Sequence, residues 1–468
     1  MEGEWQMTVG SVGRIGGVRA LEGKRGTRIR RVACRLSGAA LALCVGMLLA
    51  STAAAQVRGT IVGPGVRQYP IAVAELKSLS PGAGRADLTS MFADVVARDL
   101  ELSGLFRVLP RSSYIENSAS SGITVGTIQF GDWSVIGALA LVKGALHVDG
   151  DRLRVEARLF DVFQRRLLVG RNYHGNVGNL RRMAHRFADE IMAQLTGERG
   201  PFDSRIAFVS TRAGRFKELY VMSLDGGDVR QLTFNRTINL SPAWGSDGSL
   251  LFTSYQRGNP DLYRMDFLTG AATRLAYGRG LNLGGEVSPD GTRIALATEE
   301  RGNPDIVLLD RDGAVVARVT DSWAIDVSPS WSPDGRSLSF CSNRAGGPQI
   351  YVADLAGGRP RRVTFQGDYN TSPAWSPKGD RIAYVSRVGG RFHIFSVGAD
   401  GSGAKQLTSG PGDHEDPSWS PDGRYLVFSS TRGGARKLYV MDADGRSTVQ
   451  LTSGNGDDSS PAWSRWLD

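Results

Sequence analysis

This sequence of 468 residues contains little that could carry catalytic or metal chemistry. No serine stands in the Gly-x-Ser-x-Gly spacing of a nucleophile elbow. There is no His-Glu-x-x-His, no Cys-x-x-Cys and no phosphate-binding glycine loop after a strand. The five histidines are scattered, and only His414-Glu415-Asp416 places metal-type ligands side by side. We interpret that trio as a solvated acidic loop, because a metal site would need further ligands from other parts of the chain.

Cysteine is also scarce, and two of the three cysteines fall within the first 55 residues. That segment has the order of a secretory signal, with arginines at 28–35, an apolar run from Leu36 to Ala50, and small residues up to Ala55. The apolar run is shorter than the roughly 20 residues that a membrane-spanning helix needs. We therefore predict that residues 1–55 form a signal peptide that is cleaved after Ala55.

The remaining cysteine, Cys341, can form no intramolecular disulfide in the mature chain, although export leads to an oxidising compartment. Val209, Thr253 and Ser429 occupy the matching position in other copies of a repeat described below. We expect a buried and unreactive thiol.

A strong excess of one charge sign is missing as well. The formal net charge is +9, but residues 201–468 hold 30 basic and 30 acidic residues. The composition therefore gives little support to nucleic-acid binding.

What the sequence has is a repeat built around Ser-Pro-x-Trp-Ser-Pro-Asp-Gly. Its turn glycines lie 43 or 44 residues apart, at Gly248, Gly291, Gly335, Gly379 and Gly423. Each period contains short β-rich runs joined by Gly or Asp turns, which predicts a four-stranded antiparallel blade. The repeat region opens on a second strand (Arg205–Val209) and ends on an orphan first strand (from Ser460). Joining these two pieces completes one blade and predicts a closed six-bladed β-propeller, since a rod would leave both as unpaired edges.

The residues that recur among the repeat copies have structural explanations. Asp-Gly is a hairpin turn in which the glycine takes a positive φ. The tryptophans are expected to pack between blades, and they are Trp244, Trp331, Trp375, Trp419 and Trp463.

Residues 69–200 are predicted to form a small α/β domain with one mixed sheet. The propeller is predicted to follow at residues 201–468. Strands are expected at Tyr69–Ala74, Leu105–Leu109, Leu153–Leu159 and Arg166–Tyr173, with a short helix turning into a strand over Ile136–Val148. Apolar stripes predict helices at Ala86–Ser103 and Leu180–Leu195. The Gly-rich segment 56–68 is interpreted as a flexible N-terminal arm.

One face of the predicted ring combines two sets of charged loops. Arginines occupy the loops between the second and third strands, namely Arg212, Arg257, Arg301, Arg344, Arg387 and Arg432. Polar residues occupy the loops that lead into the first strands, namely Asp326, Asp368, Tyr369, Asn370, Asp413, His414, Glu415, Asp416, Asp457 and Asp458. Either the two sets pair across neighbouring blades and only hold the loops in place, or they form a mouth that docks a partner.

A cleaved signal, an α/β domain and six such blades resemble the TolB family of periplasmic proteins of the Tol-Pal system. The segments that carry the resemblance are Tyr69–Val73, Ala188–Ile191, Leu195–Gly197 and Ser204–Val209. The resemblance implies a non-enzymatic periplasmic protein without a cofactor. Its propeller mouth would bind the peptidoglycan-associated lipoprotein Pal, and its arm would bind or report to TolA. The system would maintain the outer membrane and constrict it at cell division.

The resemblance also implies site residues. At the mouth they are Leu281, Asn282, Gly284, Asp326, Val327, Asp368, Tyr369, Asn370, His414, Glu415, Asp416 and Asp457. In the arm they are Gln56, Val57, Arg58, Gly59, Thr60 and Ile61, although this arm lacks the acidic residues of the family pattern. The alternative hypothesis is a periplasmic propeller hydrolase or lyase that uses carboxylates in the channel.

Overall fold

The computed structural model describes residues 68–80, 86–117, 121–278, 280–299 and 302–467. The predicted signal peptide and the arm residues Gln56–Ile61 lie outside these described residues. Among the helices of the described ranges, none is long and apolar enough to cross a membrane.

The N-terminal part is an α/β domain with a single mixed sheet. Its strands are β1 (Tyr69–Val73), β2 (Lys77–Ser78), β3 (Phe106–Val108), β4 (Ala140–Asp149), β5 (Arg152–Asp161) and β6 (Arg166–Asn176). Its helices are α1 (Ala86–Leu102), α2 (Phe130–Val135) and α3 (Leu180–Thr196), with single 3₁₀ turns at Arg111–Ser113 and Val177–Asn179. The strand order is β3-β1-β4-β5-β6, with β2 also paired to β4. Pairs made by β1 and β2 are parallel, whereas β4, β5 and β6 form an antiparallel meander.

The two long helices bury their predicted apolar stripes against this sheet. Phe92 of α1 and Phe187 of α3 are fully buried, with ring centroids 6.2 Å apart. Helix α3 ends at Gly197, whose φ of 85° lets its N–H reach the carbonyl of Ala193. One helix was misplaced in the prediction, because α2 ends just before Ile136 and the chain then runs into β4.

Residues 205–463 form six four-stranded blades around a central channel. The strands of each blade are given from the channel outwards. Blade 1 consists of Asn239–Trp244, Leu250–Ser254, Asp261–Met265 and Ala272–Ala276, and blade 2 consists of Asn282–Val287, Ile294–Glu299, Pro304–Leu309 and Val315–Arg318. Blade 3 consists of Asp326–Trp331, Ser337–Ala345, Gly347–Asp354 and Arg361–Arg362. The strands of blades 4 to 6 are Asn370–Trp375, Arg381–Val388, Arg391–Gly398, Lys405–Gln406; His414–Trp419, Tyr425–Ser430, Lys437–Asp442, Val449–Gln450; and Asp458–Trp463, Arg205–Ser210, Glu218–Ser223, Arg230–Gln231. The fold class of a six-bladed propeller after a mixed α/β domain is confirmed.

Every innermost strand has a bulge at the same place. The register of its pairing with the second strand of the blade shifts between the second and fifth residues of the inner strand. The third residue takes a left-handed φ of 48° to 66° in all six copies, and these residues are Ser241, Gly284, Ser328, Ser372, Asp416 and Ser460. A left-handed conformation costs a non-glycine residue roughly 1–2 kcal/mol, so the surrounding ring must hold five of them in place.

The repeat tryptophans connect neighbouring blades. The indole N–H groups of Trp244, Trp331 and Trp419 donate to backbone carbonyls on the inner strand of the preceding blade, at 2.9–3.0 Å. Trp375 instead bonds the Gly379 carbonyl of its own turn, and Trp463 bonds the Ser204 hydroxyl. All five indoles pack against core residues of the preceding blade, so the expected packing between blades is confirmed.

The ring closes through the last inner strand. Asp458–Trp463 pairs antiparallel with Arg205–Ser210, so that Asp458 lies opposite Ser210 and Trp463 opposite Ile206. Blade 6 therefore combines the two ends of the repeat region, as the orphan copy at Ser460 predicted.

We predict that removal of residues 458–468 abolishes cooperative thermal unfolding of the propeller, because blade 6 loses its inner strand and blades 1 and 5 lose a neighbour. Circular dichroism with temperature measures this. A matched control that lacks only residues 465–468 keeps the strand and should still unfold cooperatively. Equal cooperativity in both truncations would contradict closure by this strand.

Candidate partner-binding face

One end of the propeller is formed by the loops that lead into the inner strands, together with the loops between second and third strands. We call this end the mouth. The first set, the mouth loops, comprises residues 232–238, 277–278 with 280–281, 319–325, 363–369, 407–413 and 451–457. Both sets lie at the same end because the chain direction alternates from strand to strand within a blade.

The first residue of each inner strand is polar and buried. These residues are Asn239, Asn282, Asp326, Asn370, His414 and Asp458, none of them more than 6% exposed. Each faces the preceding blade, where a polar residue at or near the start of the third strand is also buried; these residues are Glu218, Asp261, Asp305, Gln349, His393 and Lys437. We call this ring of blade-to-blade contacts the polar belt.

The polar belt uses different chemistry at each junction. Direct hydrogen bonds join Asn239 to Glu218 at 3.2 Å, Asn370 to Gln349 at 2.8 Å and Lys437 to Asp458 at 3.4 Å. Asn282 donates to the Pro260 carbonyl, and Ser322 bridges Asp305 and Asp326. The remaining junction stacks two imidazoles, those of His393 and His414.

This burial changes the role of four predicted contact residues. Asn282, Asp326, Asn370 and His414 are 0–6% exposed, so in this structure they hold blade junctions and offer no surface to a partner. Sequence reasoning placed them at the surface, because a strand start next to a loop gives no sign that its side chain faces the adjacent blade.

The charged loops pair with each other within single blades. Arg344 binds Asp326 at 2.8 Å, Arg212 binds Asp458 at 2.9 Å and Arg387 binds Asp368 at 3.1 Å. Glu415 pairs with Arg436 of the same blade. These arginines therefore do not pair across neighbouring blades as that alternative supposed, although Asp458 also binds Lys437 of blade 5. Its consequence, that the charges hold loops in place, agrees with the structure. Arg301 lies outside the described residues.

Several predicted contact residues do reach the surface. The Asp368 side chain is 76% exposed, Asp457 is exposed, and Tyr369 is half-buried against Phe392 and the Arg387 guanidinium. Leu281, Gly284, Val327, Glu415 and Asp416 are half-buried. Asp416 faces the channel, where its carboxylate accepts hydrogen bonds from the Ser460 N–H and the Ser429 hydroxyl.

The most exposed apolar side chains at the mouth were missed by the sequence analysis. They occupy the four consecutive mouth loops that lead into blades 1 to 4, and they are Phe234, Ile238, Tyr277, Trp323, Ile325 and Phe365, each 44–73% exposed. We call this set the apolar arc. The corresponding loops of blades 5 and 6 carry Ser409 and Ser453 where Phe234 and Phe365 stand. Comparing this position between repeat copies reveals Phe234 and Phe365 from the sequence, whereas the charge of the loops does not indicate the arc.

The central channel has a volume of about 1670 Å³ and is lined by the six Ser-Pro-x-Trp strands or their counterparts. Glu286 replaces the small residue that other blades have at this position, and burial raises the pKa of its carboxyl group to about 8. Within the described ranges, no group of three or more His, Cys, Asp or Glu side chains could hold a metal ion.

Cys341 lies on the second strand of blade 3 and is 5% exposed. Burial raises the pKa of its thiol to about 11, so the thiolate is disfavoured. The expected burial of the thiol is confirmed, and low reactivity stays a prediction that the raised pKa supports.

The histidine junction differs from the other junctions of the polar belt because it places two imidazoles against each other. The rings of His393 and His414 stack with centroids 5.2 Å apart. His414 Nδ1 lies 2.9 Å from the Ser430 hydroxyl and 3.3 Å from the Arg432 guanidinium. His414 Nε2 and His393 Nδ1 have no hydrogen-bond partner in the described part of the chain.

Burial, together with the charges of Arg432 and His393, lowers the pKa of His414 to about 4, although Asp413 opposes this shift. The pKa of His393 is lowered too, chiefly by burial.

We predict that this junction loses stability in acid. A folded-state pKa below the ordinary 6.5 means that the unfolded chain binds the proton more tightly. The contribution is therefore present above pH 6.5 and is lost as the pH falls toward 4, by about 2 kcal/mol for His414. The double variant His393→Gln/His414→Asn, which copies the Gln349–Asn370 junction, should lose less unfolding free energy between pH 7.5 and 4.5. Chemical denaturation measures this, with His147→Gln as the control; equal losses in the double variant and the wild type would contradict it.

Comparison with known proteins agrees with this architecture. The TolB beta propeller domain family matches residues 192–467, and the TolB amino-terminal domain family matches residues 58–168. Among curated relatives, the Tol-Pal system protein TolB of Syntrophotalea carbinolica is 44% identical over 206 residues, which cover 44% of this chain and 47% of the relative. The Tol-Pal system protein TolB of Desulfosudis oleivorans is 41% identical over 204 residues, covering 43% of this chain and 46% of the relative.

The matched part spans about half the length of these curated relatives. Among solved structures, the crystal structure of TolB from Acinetobacter baumannii superposes with a TM-score of 0.73 and 29% sequence identity, covering 85% of this chain and 96% of that one. Because the propeller family alone matches more than half of the chain, the protein belongs to the TolB family.

Proposed function

We propose that this protein is a non-enzymatic docking component of the Tol-Pal envelope system in the periplasm. Its mouth would bind the peptidoglycan-associated lipoprotein Pal, and the complex would support outer-membrane integrity and constriction at cell division. Membership of the TolB family supports the system, and the apolar arc is the observation that supports the mouth as the docking face.

The arc has the composition of a protein-binding surface. Aromatic side chains are enriched at interfaces and supply much of their binding energy. Trp323 and Phe365 are 70% and 69% exposed, although burying each would remove a large apolar area from water. Groups of exposed apolar side chains on a soluble protein commonly mark interaction sites.

The charged sector beside the arc would orient the partner. Asp368, Glu415 and Asp457 lie in or next to mouth loops, and the first two already pair with arginines on the same face. Such exposed pairs contribute little to stability. They can exchange partners on binding, which favours a partner that carries both charges and apolar anchors.

We predict that Trp323→Ala combined with Phe365→Ala weakens binding of Pal at least tenfold, because two exposed anchors lose their contact area. Isothermal titration of the mature protein with Pal from the same cell measures this. Phe163→Ala is the matched control, since Phe163 is 66% exposed on the α/β domain. Unchanged affinity of the double variant would place the docking site elsewhere.

Reversing the charges of Asp368, Glu415 and Asp457 to Lys provides a second test. If the charged sector orients Pal, the triple variant should bind more slowly and show an altered dependence on salt. Turnover of a peptide or glycan that Glu286→Gln abolishes would favour the alternative of a channel enzyme.

The arm, residues 56–68, is proposed to bind or report to TolA. Its sequence contains Arg58 and Arg67 and no acidic residue, so this proposal rests on family membership and on the position of the arm. Crosslinking in the periplasm with residues 56–67 deleted tests it. Loss of a TolA crosslink with retention of the Pal crosslink would support the proposal, and retention of both would contradict it.

A further inference from the structure

The outer edge of strand β6 differs from the other sheet edges of the described chain. β6 has 11 residues and is the last strand in its sheet. The outer strands of the blades have two to five residues, and β3 at the opposite edge has three. The inner strands of the blades are interrupted by the bulge at their third residue. A long edge strand without such protection is a template for another strand.

The backbone of β6 is available over most of its length. From Val169 to Asn176 it pairs with β5 in continuous register, so alternate N–H and C=O groups point away from β5. Gly170, Asn172 and Gly175 are exposed. One carbonyl, that of Gly170, receives a hydrogen bond from the Arg171 guanidinium, and the Asn176 N–H donates to the Asn179 side chain.

The sheet face beside this edge carries a row of basic side chains. His147 of β4 lies opposite Arg154 of β5, which lies opposite His174 of β6. Arg154 and His174 are exposed; the neighbouring outward-facing residues along β5 are Arg152, which lies opposite Asp149, and Glu156, which pairs with Arg158. In the part of the chain that the structure describes, the side chain of Arg154 forms no ion pair or hydrogen bond. Directly opposed basic groups repel when both are charged, so an anion placed beside this row would be attracted.

The charge pattern also indicates which chain would fit. The protein's own arm, residues 56–68, has two arginines and no acidic residue, so its charge has the same sign as the basic row. A partner strand with carboxylates would complement the row. On the opposite face of the edge, Tyr173 is half-buried and would contact apolar residues of the added strand.

We propose that the free edge of β6 binds an extended acidic segment of a partner protein by strand addition. Side chains of an added strand alternate between the two faces of the sheet. The segment would therefore have Asp or Glu at every second position, facing His174 and Arg154, with apolar residues between them. This site lies on the α/β domain and does not depend on docking at the mouth.

Fluorescence polarisation with a labelled peptide of alternating Glu and Val tests the proposal on the mature protein. We expect saturable binding that is at least tenfold weaker for Arg154→Glu/His174→Glu, while the control Arg230→Glu, an exposed propeller arginine, binds as the wild type does. A peptide of alternating Lys and Val should not bind. Thermal unfolding verifies the fold of each variant, and the single change Arg154→Gln serves if the double variant is unstable. Absence of binding, or equal binding of the Lys-Val peptide, would overturn the proposal.

Backbone addition is tested separately from charge. N-methylation at alternate residues removes the N–H donors from one edge of the peptide, so one of the two possible methylation patterns should abolish binding and the other should retain it. Hydrogen exchange within residues 166–176 should slow when the unmodified peptide binds. Binding that tolerates both methylation patterns, or binding of phosphatidylglycerol vesicles in place of the peptide, would overturn strand addition.

Discussion

The propeller depends on the antiparallel pairing of Asp458–Trp463 with Arg205–Ser210. This contact joins the two ends of the repeat region and removes the open ends that a linear array of blades would have. It also gives blades 1 and 5 the neighbour that each needs to bury its second face. The left-handed residues on the inner strands are tolerated because a closed ring restrains them from both sides.

The polar belt links the closed ring to the position of the mouth loops. Each junction near the mouth places a buried polar side chain of one blade against the preceding blade. Burial of these groups is costly unless they are hydrogen-bonded, so the pairs fix the register of neighbouring blades. They thereby position the loops immediately before them, which carry the apolar arc. The proposed docking surface thus consists of exposed apolar side chains on loops whose positions are fixed by buried polar side chains.

Much of the fold could be predicted from the sequence, because its periodicity is strong. The turn glycines marked five blades, and joining the orphan copy at Ser460 to the strand at Arg205–Val209 predicted the sixth blade and the closure of the ring. The site was harder to predict. Asp326 and His414 stand next to loops and look exposed in the sequence, but both are buried: the Asp326 carboxylate binds Arg344 and Ser322, and His414 stacks on His393 of the preceding blade. The apolar arc was not predicted, because only the charged and polar residues of the loops that contain Trp323 and Phe365 were considered. The edge of β6 depends on which strand comes last in the sheet, and alternation within a single strand cannot reveal that order.

The central claim is that the apolar arc of the closed ring is where a partner docks. Hydrogen exchange of the mature protein, measured with and without Pal, tests it most directly because it locates contact without altering the chain. The account predicts slower exchange in the mouth loops 232–238, 319–325 and 363–369, with little change in the turns at the opposite end of the blades. Protection confined to the α/β domain, or to those opposite turns, would contradict it.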